Sequence, residues 1–326
     1  MSSSYKPRVV ALLVIATFVV LGGAFLYAEY LTKPKSPHLE GTLIFHKYTN
    51  YNSWDGELFV LDLQSKKLVN LTRAWKTVEH TINGHFSGDG QYLTFMGTQK
   101  GIRDWDVFLS KWNSTLHQWS EPRNLTGPNG KRDEDPKFSP INNQIVYKED
   151  GNLTAIDVST NQSSPIRSEL SGISMPYFLP NGRDLLFESG GNIYLKKSTK
   201  TTLMNTGKGR SAYYPIAQDK SSYLFTLVQE SGRDAIMVGY YNQSAPKKLF
   251  FNSDLWDSSD PYPYKDGSRY VFYVSGDYSI PKGGYNLMIA DIDSKKTFNI
   301  DDLFGSVNSD LEELGPAWTS YRFYIN

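Results

Sequence analysis

From residue 42 to the end of the chain, apolar residues come in short runs, each cut off by Gly, Asn, Asp, Ser or Pro. Leu43-Ile44-Phe45, Leu58-Phe59-Val60-Leu61, Leu93-Thr94-Phe95 and Val271-Phe272-Tyr273 are examples. Runs this short, rich in β-branched and aromatic residues and bounded by turn formers, predict strands rather than helices. Residues 301–314 are the one stretch where a helix is a candidate. The phrase that organises the chain is Gly84-His85-Phe86-Ser87-Gly88-Asp89-Gly90, leading into Tyr92-Leu93-Thr94-Phe95. A strand ends at Phe86, a tight turn follows, and a second strand begins at Tyr92. Gly suits the turn because it tolerates positive φ, and Asp because it bonds the backbone ahead of it.

The phrase recurs. Phe138-Ser139-Pro140 runs into Ile145-Val146-Tyr147, and Phe178-Leu179-Pro180-Asn181-Gly182 into Leu185-Leu186-Phe187. Ile216-Ala217-Gln218-Asp219-Lys220 and Pro263-Tyr264-Lys265-Asp266-Gly267 lead into Tyr223-Leu224-Phe225 and Tyr270-Val271-Phe272. Each unit continues with a third apolar run, such as Ile193-Tyr194-Leu195, and a weaker fourth, such as Leu68-Val69-Asn70-Leu71-Thr72. Four short strands repeated every ~40–50 residues are the mark of a β-propeller, which leaves only short, protected sheet edges. The first unit starts at its second strand, Leu43-Ile44-Phe45, and the chain ends on an unpartnered first-strand phrase, Gly315-Pro316-Ala317-Trp318-Thr319-Ser320. The expected fold is therefore all-β, a six-bladed propeller of four-stranded blades over residues 42–326, with the last strand closing blade one.

These residues resemble the TolB-like propeller family. Phe86-Ser87-Gly88-Asp89-Gly90, Asp135-Pro136-Lys137-Phe138-Ser139-Pro140 and Asp260-Pro261-Tyr262-Pro263-Tyr264-Lys265-Asp266-Gly267 match its aromatic-Ser-Pro-Asp-Gly turn. Gly283-Gly284-Tyr285-Asn286-Leu287 is similar to a Gly-Gly-Tyr-Asp-Leu phrase of envelope propellers. Unit five departs from the pattern, with Gln218-Asp219-Lys220 in place of Pro or Gly, and no stretch before residue 42 matches the separate N-terminal domain of the namesake protein. The resemblance implies a propeller that serves as binding platform, assembly scaffold or, in some members, enzyme body.

The chain opens differently. Residues 1–8 are short and basic, and residues 9–28 are apolar at about the ~20 needed to cross a bilayer as a helix. Lys6 and Arg8 precede the run and Glu29 follows it, which predicts a cytoplasmic N-terminus and an exported body. The alternative is a signal peptide cut near Gly22-Gly23-Ala24, leaving a secreted or periplasmic body. No Cys follows the run, so a lipoprotein anchor is excluded, and residues 29–41 read as a linker.

Basic and acidic residues balance at 34 each, which gives no reason to expect a nucleic-acid partner. Cysteine is absent, so disulfides and thiolate metal sites are excluded. The loops before the first strands and between the second and third strands open on one face. That face gathers Tyr51, Trp54, Asp55, Trp75, Arg103, Asp104, Trp105, Arg132, Asp133, Trp256, Asp257 and Tyr278, an aromatic and charged set suited to an envelope glycan or a protein partner. Packing of some tryptophans between blades is the competing use of these rings. Glu79, Asp133, Asp260 and Glu312 recur just before first strands, where a ring of carboxylates could hold calcium and where Asp before Pro can equally serve the turn. His80 and His85, with Glu79, are the candidates for a lyase-type metal or catalytic centre. Gly-x-Ser-x-Gly, His-Glu-x-x-His and phosphate-cradling Gly loops are absent. Six Asn-x-Ser/Thr sequons occur, two of them, Asn70 and Asn124, inside the repeating Asn-Leu-Thr close of a unit. The sequence thus predicts a membrane-tethered binding or scaffold propeller, with the lyase and a sensor or assembly subunit working through its rim as alternatives.

Overall fold

In the computed structural model, residues 37–265, 267–276 and 284–324 are described. The expected transmembrane segment at 9–28 lies outside them, and among the described residues no helix is long and apolar enough to cross a membrane.

Six antiparallel sheets follow one another, each contributing its first strand to the centre. The innermost strands are Glu312–Thr319 in blade one, then Val78–Phe86, Asp133–Phe138, Ile173–Phe178, Ser211–Ala217 and Asp257–Pro263 in blades two to six. Blade one is closed by the chain's end: Leu43 pairs with Trp318 and Thr42 with Thr319. Blade two carries a fifth strand, because Arg123–Asn124 and Gln118–Trp119 both pair with Asp106–Asn113. The expected helix shrinks to one turn, Ile300–Phe304, capped by the Asn299 side chain and ended by Gly305 at φ +88°. Asp301 then holds the following loop by accepting from the Val307 and Asn308 N–H groups, and the chain returns to strand at Glu312.

Solid apolar runs rather than strict alternation mark the middle strands because both sheet faces are covered by neighbouring blades. Leu43, Ile44 and Phe45 are all fully buried. Trp75 stacks on Phe95 at 5.0 Å, and Phe95 on Phe108 at 5.6 Å, so this tryptophan is packing rather than ligand surface.

The repeated turn works through side chains as well as glycine. In blade two Asp89 accepts from the Gln91 N–H and the Ser87 hydroxyl, while Gly90 sits at φ +66°. Blade five lacks that glycine, yet Asp219 accepts from the Ser221 and Ser222 N–H groups and the turn forms regardless. The Asn-Leu-Thr close is structural too: Thr72 and Thr126 hydroxyls accept from the Leu58 and Val107 N–H groups, and Asn124 donates to Asp106.

Each innermost strand bulges at a residue with positive φ, namely Asn83, Asp135, Met175, Tyr214, Asp260 and Gly315, and Val78–Phe86 bulges a second time at His80. In five blades the next residue is proline, which supplies no ladder donor and so fits where pairing is interrupted. The bulges leave an axial cavity of only about 10 Å³, lined by Asp135, Lys137, Met175, Tyr177, Tyr214 and Tyr262 among others.

Candidate functional site

Chain direction gives the shaft two unlike ends. At one end, the loop face, lie the loops before first strands and between second and third strands. At the other, the turn face, lie the repeated turns.

Five of the expected ligand residues meet on the loop face of blades one to three. The Trp105 ring lies between those of Tyr51 (5.9 Å) and Trp54 (4.9 Å), both stacked, and His80 meets Trp54 edge-on at 5.8 Å. The Arg103 guanidinium stands 5.7 Å from the Trp54 ring centre and that of Arg132 5.9 Å from the Tyr51 ring centre. Trp105 is buried, Trp54 half-buried, and Tyr51 is 40% exposed. Local structure aims the last two: residues 51–53 form a 3-10 turn capped by Asn50, and Trp54 turns the chain at φ 54°.

Beneath the row sits Glu134, which accepts from the Tyr51 hydroxyl (2.9 Å) and pairs with both Arg132 and Lys148. Burial alone would raise its carboxyl, but the bonds from Lys148 and Arg132 outweigh that and hold it below the usual range. The Tyr51 phenol is pushed up, first by burial and then by Glu134. Glu134 therefore fixes two of the patch's exposed members. In the sequence Glu134 stands out only as the middle of the acidic run Asp133-Glu134-Asp135, where successive strand positions face opposite ways and set it apart from its two neighbours.

The remaining candidates lie elsewhere. Trp256 borders a separate groove of about 500 Å³ with Phe250, Phe251, Tyr273 and Met288. Asp133 is fully buried at the junction of blades two and three. Tyr278 falls outside the described residues.

Of the four carboxylates considered for a metal, Glu79, Glu312 and Asp260 are engaged by neighbouring donors. Glu79 accepts from the Gly101 N–H, Glu312 from the Tyr285 N–H, and Asp260 from the Ser259 hydroxyl and Gly315 N–H in the shaft. Asp133 accepts from the Asn129 amide. Among the described residues no three His, Asp or Glu side chains form a group able to hold a metal.

His80 and His85 occupy opposite ends of one strand, Val78–Phe86, roughly 15 Å apart at strand rise. His80 pairs with Glu79 (3.8 Å) on the loop face. His85 floors a funnel of about 300 Å³ on the turn face, with Tyr177, Tyr262, Trp318 and Lys265 around it. Burial, then the charge of Lys137, lowers the His85 imidazole to about 3, so it is neutral. Its Nδ1 accepts from the Phe138 N–H (3.2 Å). The two histidines and Glu79 do not form one centre.

The architecture is that of a six-bladed β-propeller closed by its C-terminal strand, with a concave mouth at one end and an aromatic patch at the other. Compared by sequence, the chain matches no family model and no curated protein. By structure it is similar to TolB from Acinetobacter baumannii, with a TM-score of 0.66 at 15% identity, over 86% of this chain and 67% of that one. It is also similar to hydrazine synthase from Kuenenia stuttgartiensis (TM-score 0.60, 14% identity), covering 89% of this chain but only 48% of that one. A chain of the nidogen/laminin complex gives a TM-score of 0.59 at 11% identity, over 86% of this chain and the whole of that one. The expected TolB-like propeller is therefore found as a fold, and likeness at these identities speaks to fold alone.

Proposed function

We propose that this protein is a binding or scaffold propeller that holds a protein partner through the loop-face patch of blades one to three. The observation that carries the reading is the stacked row Tyr51–Trp105–Trp54 with Arg103 and Arg132 against its outer rings. Trp, Tyr and Arg are the residues that concentrate binding energy at interfaces. Here Glu134 and the 3-10 turn hold them in place before any partner arrives, which lowers the ordering cost of association. Among similar structures, one is by its title a complex of two proteins, nidogen and laminin. The apolar run at 9–28 belongs to the same reading: it tethers the body to a membrane, outside the cytoplasm.

The test is affinity capture with the solubilised chain, comparing wild type with Trp54→Ala and Arg132→Ala. A partner retained by wild type and lost by both variants supports the proposal; equal retention removes it. An envelope polysaccharide bound on a glycan array and lost in Trp54→Ala, with no protein captured, replaces the protein partner by a glycan. Alkaline extraction of membranes tests the tether, since a protein released into the wash is not anchored.

A further inference from the structure

We propose that blades two and three enclose a cation site built on Asp106 and Asp133, of the hard divalent kind that calcium fills. This stands apart from the partner patch and does not depend on it. Seven acidic residues among those described are buried: Asp62, Asp106, Asp133, Glu134, Asp257, Asp291 and Glu313. Five of them meet a basic side chain. Asp62 pairs with Arg322 (2.7 Å), Asp257 with Arg233 (3.2 Å), Asp291 with Arg269 (3.1 Å) and Glu313 with Lys47 (3.2 Å), and Glu134 has Arg132 and Lys148. Asp106 and Asp133, both 0% exposed, have no such pair within 4.0 Å among the described residues.

The two lie side by side. Each is the first residue of its strand, and the Asp133 N–H donates to the carbonyl of Trp105, the residue before Asp106 (3.0 Å). The Thr126 hydroxyl and the Asn124 amide donate to Asp106 (3.3 and 2.7 Å). Asn129 donates to one oxygen of Asp133 (3.1 Å), the Thr126 hydroxyl also lies against this carboxyl and favours its charged form, and Oδ1 is buried with no hydrogen-bond partner. The charges that act on the pair are other carboxylates, Glu149 and Asp106 on Asp133 and Asp104 on Asp106. Burial raises both carboxyls.

A carboxylate taken out of water without a partner is among the costliest groups a fold can bury, and a bound cation is one way to satisfy it. The oxygens on offer are two carboxylates and the Thr126 hydroxyl, with no nitrogen or sulfur donor, which favours calcium over zinc or copper. With only two carboxylates, affinity belongs to the weak range of extracellular modules, on the order of 10⁻⁴–10⁻³ M.

The test is thermal unfolding of the 326-residue chain with calcium added to about 10 mM, a concentration above that range. Wild type should gain about 2–4 °C in Tm and lose it to a chelator. Asp106→Asn and Asp133→Asn should fold and show no gain. A wild type indifferent to calcium overturns the proposal, and so does an unchanged gain in Asp133→Asn. Should either variant fail to fold, calorimetric titration of wild type decides: saturable heat supports the site, and none excludes it. A Tm raised by Asp133→Asn, with no calcium response in wild type, also overturns it, because the pocket then holds only a proton.

Discussion

The two ends of the shaft are made from different kinds of sequence. The turn face is repetitive: one phrase, with its Asp or Asn bonding the backbone ahead, closes the first two strands of blade after blade. The loop face is irregular, and its most crowded part is where the loops of blades one to three bring Tyr51, Trp54, Arg103 and Arg132 together. The difference teaches that repetition here encodes the fold, while departures from it furnish surface that the fold does not need. Substitutions on the turn side should therefore cost stability, and those at the exposed rim of the loop side should cost binding.

The largest effect is expected at Phe323, beyond the closing strand. Its buried ring packs on Trp119 (4.8 Å), Trp112 (5.0 Å) and Phe86 (5.5 Å), fastening the chain's end to blade two. Phe323→Ala should destabilise the propeller by about 3–5 kcal/mol in denaturant unfolding. A loss below ~1 kcal/mol would show that the paired strand alone closes the ring.

Next comes the turn itself. An added Cβ at Gly90 would meet the Tyr321 ring at 2.3 Å, in a backbone conformation with φ +66°. Gly90→Ala should cost about 1–3 kcal/mol. An unchanged unfolding midpoint would mean that the Asp89 bonds hold the turn without glycine.

The third prediction concerns acid. Burial, then Lys137, lowers His46 and His85 to about 3, against 6.5 in the unfolded chain. The unfolded chain takes up these protons first, so stability should fall as pH drops from 6.5 toward 3 and be fully retained above that window. His85→Gln, measured against wild type at pH 7 and pH 5, should flatten the fall; an identical slope would show that its imidazole is not held neutral.

The smallest effect on stability should fall on the loop face. Arg103 is exposed, and Arg103→Ala should change stability by no more than about 0.5 kcal/mol while weakening partner capture. A variant that binds as wild type would confine the patch to Tyr51, Trp54 and Arg132.

Much of the fold was legible. Strand runs, the recurring turn and the matched ends gave blade count and closure, because a propeller repeats the same local chemistry and its ladder is antiparallel between neighbours in sequence. The axial bulges were missed although Asp135-Pro136, Met175-Pro176, Tyr214-Pro215, Asp260-Pro261 and Gly315-Pro316 recur at one place in the repeat. Proline inside a first strand was itself the sign of interrupted pairing. The site was less legible. Loop residues share a face by topology, so Tyr51, Trp54 and Trp105 could be grouped, but nothing local separates them from Trp75, which packs between blades, or Trp256, which borders another groove. His80 and His85, close in sequence, are parted by the strand that joins them.

The partner is expected at the loop-face end of the shaft. A photoreactive residue placed at Tyr51 and, separately, at Lys265 on the turn face tests this in intact cells. A discrete cross-linked product is expected from the first position and none from the second. The reverse result, a product from Lys265 alone, would contradict it.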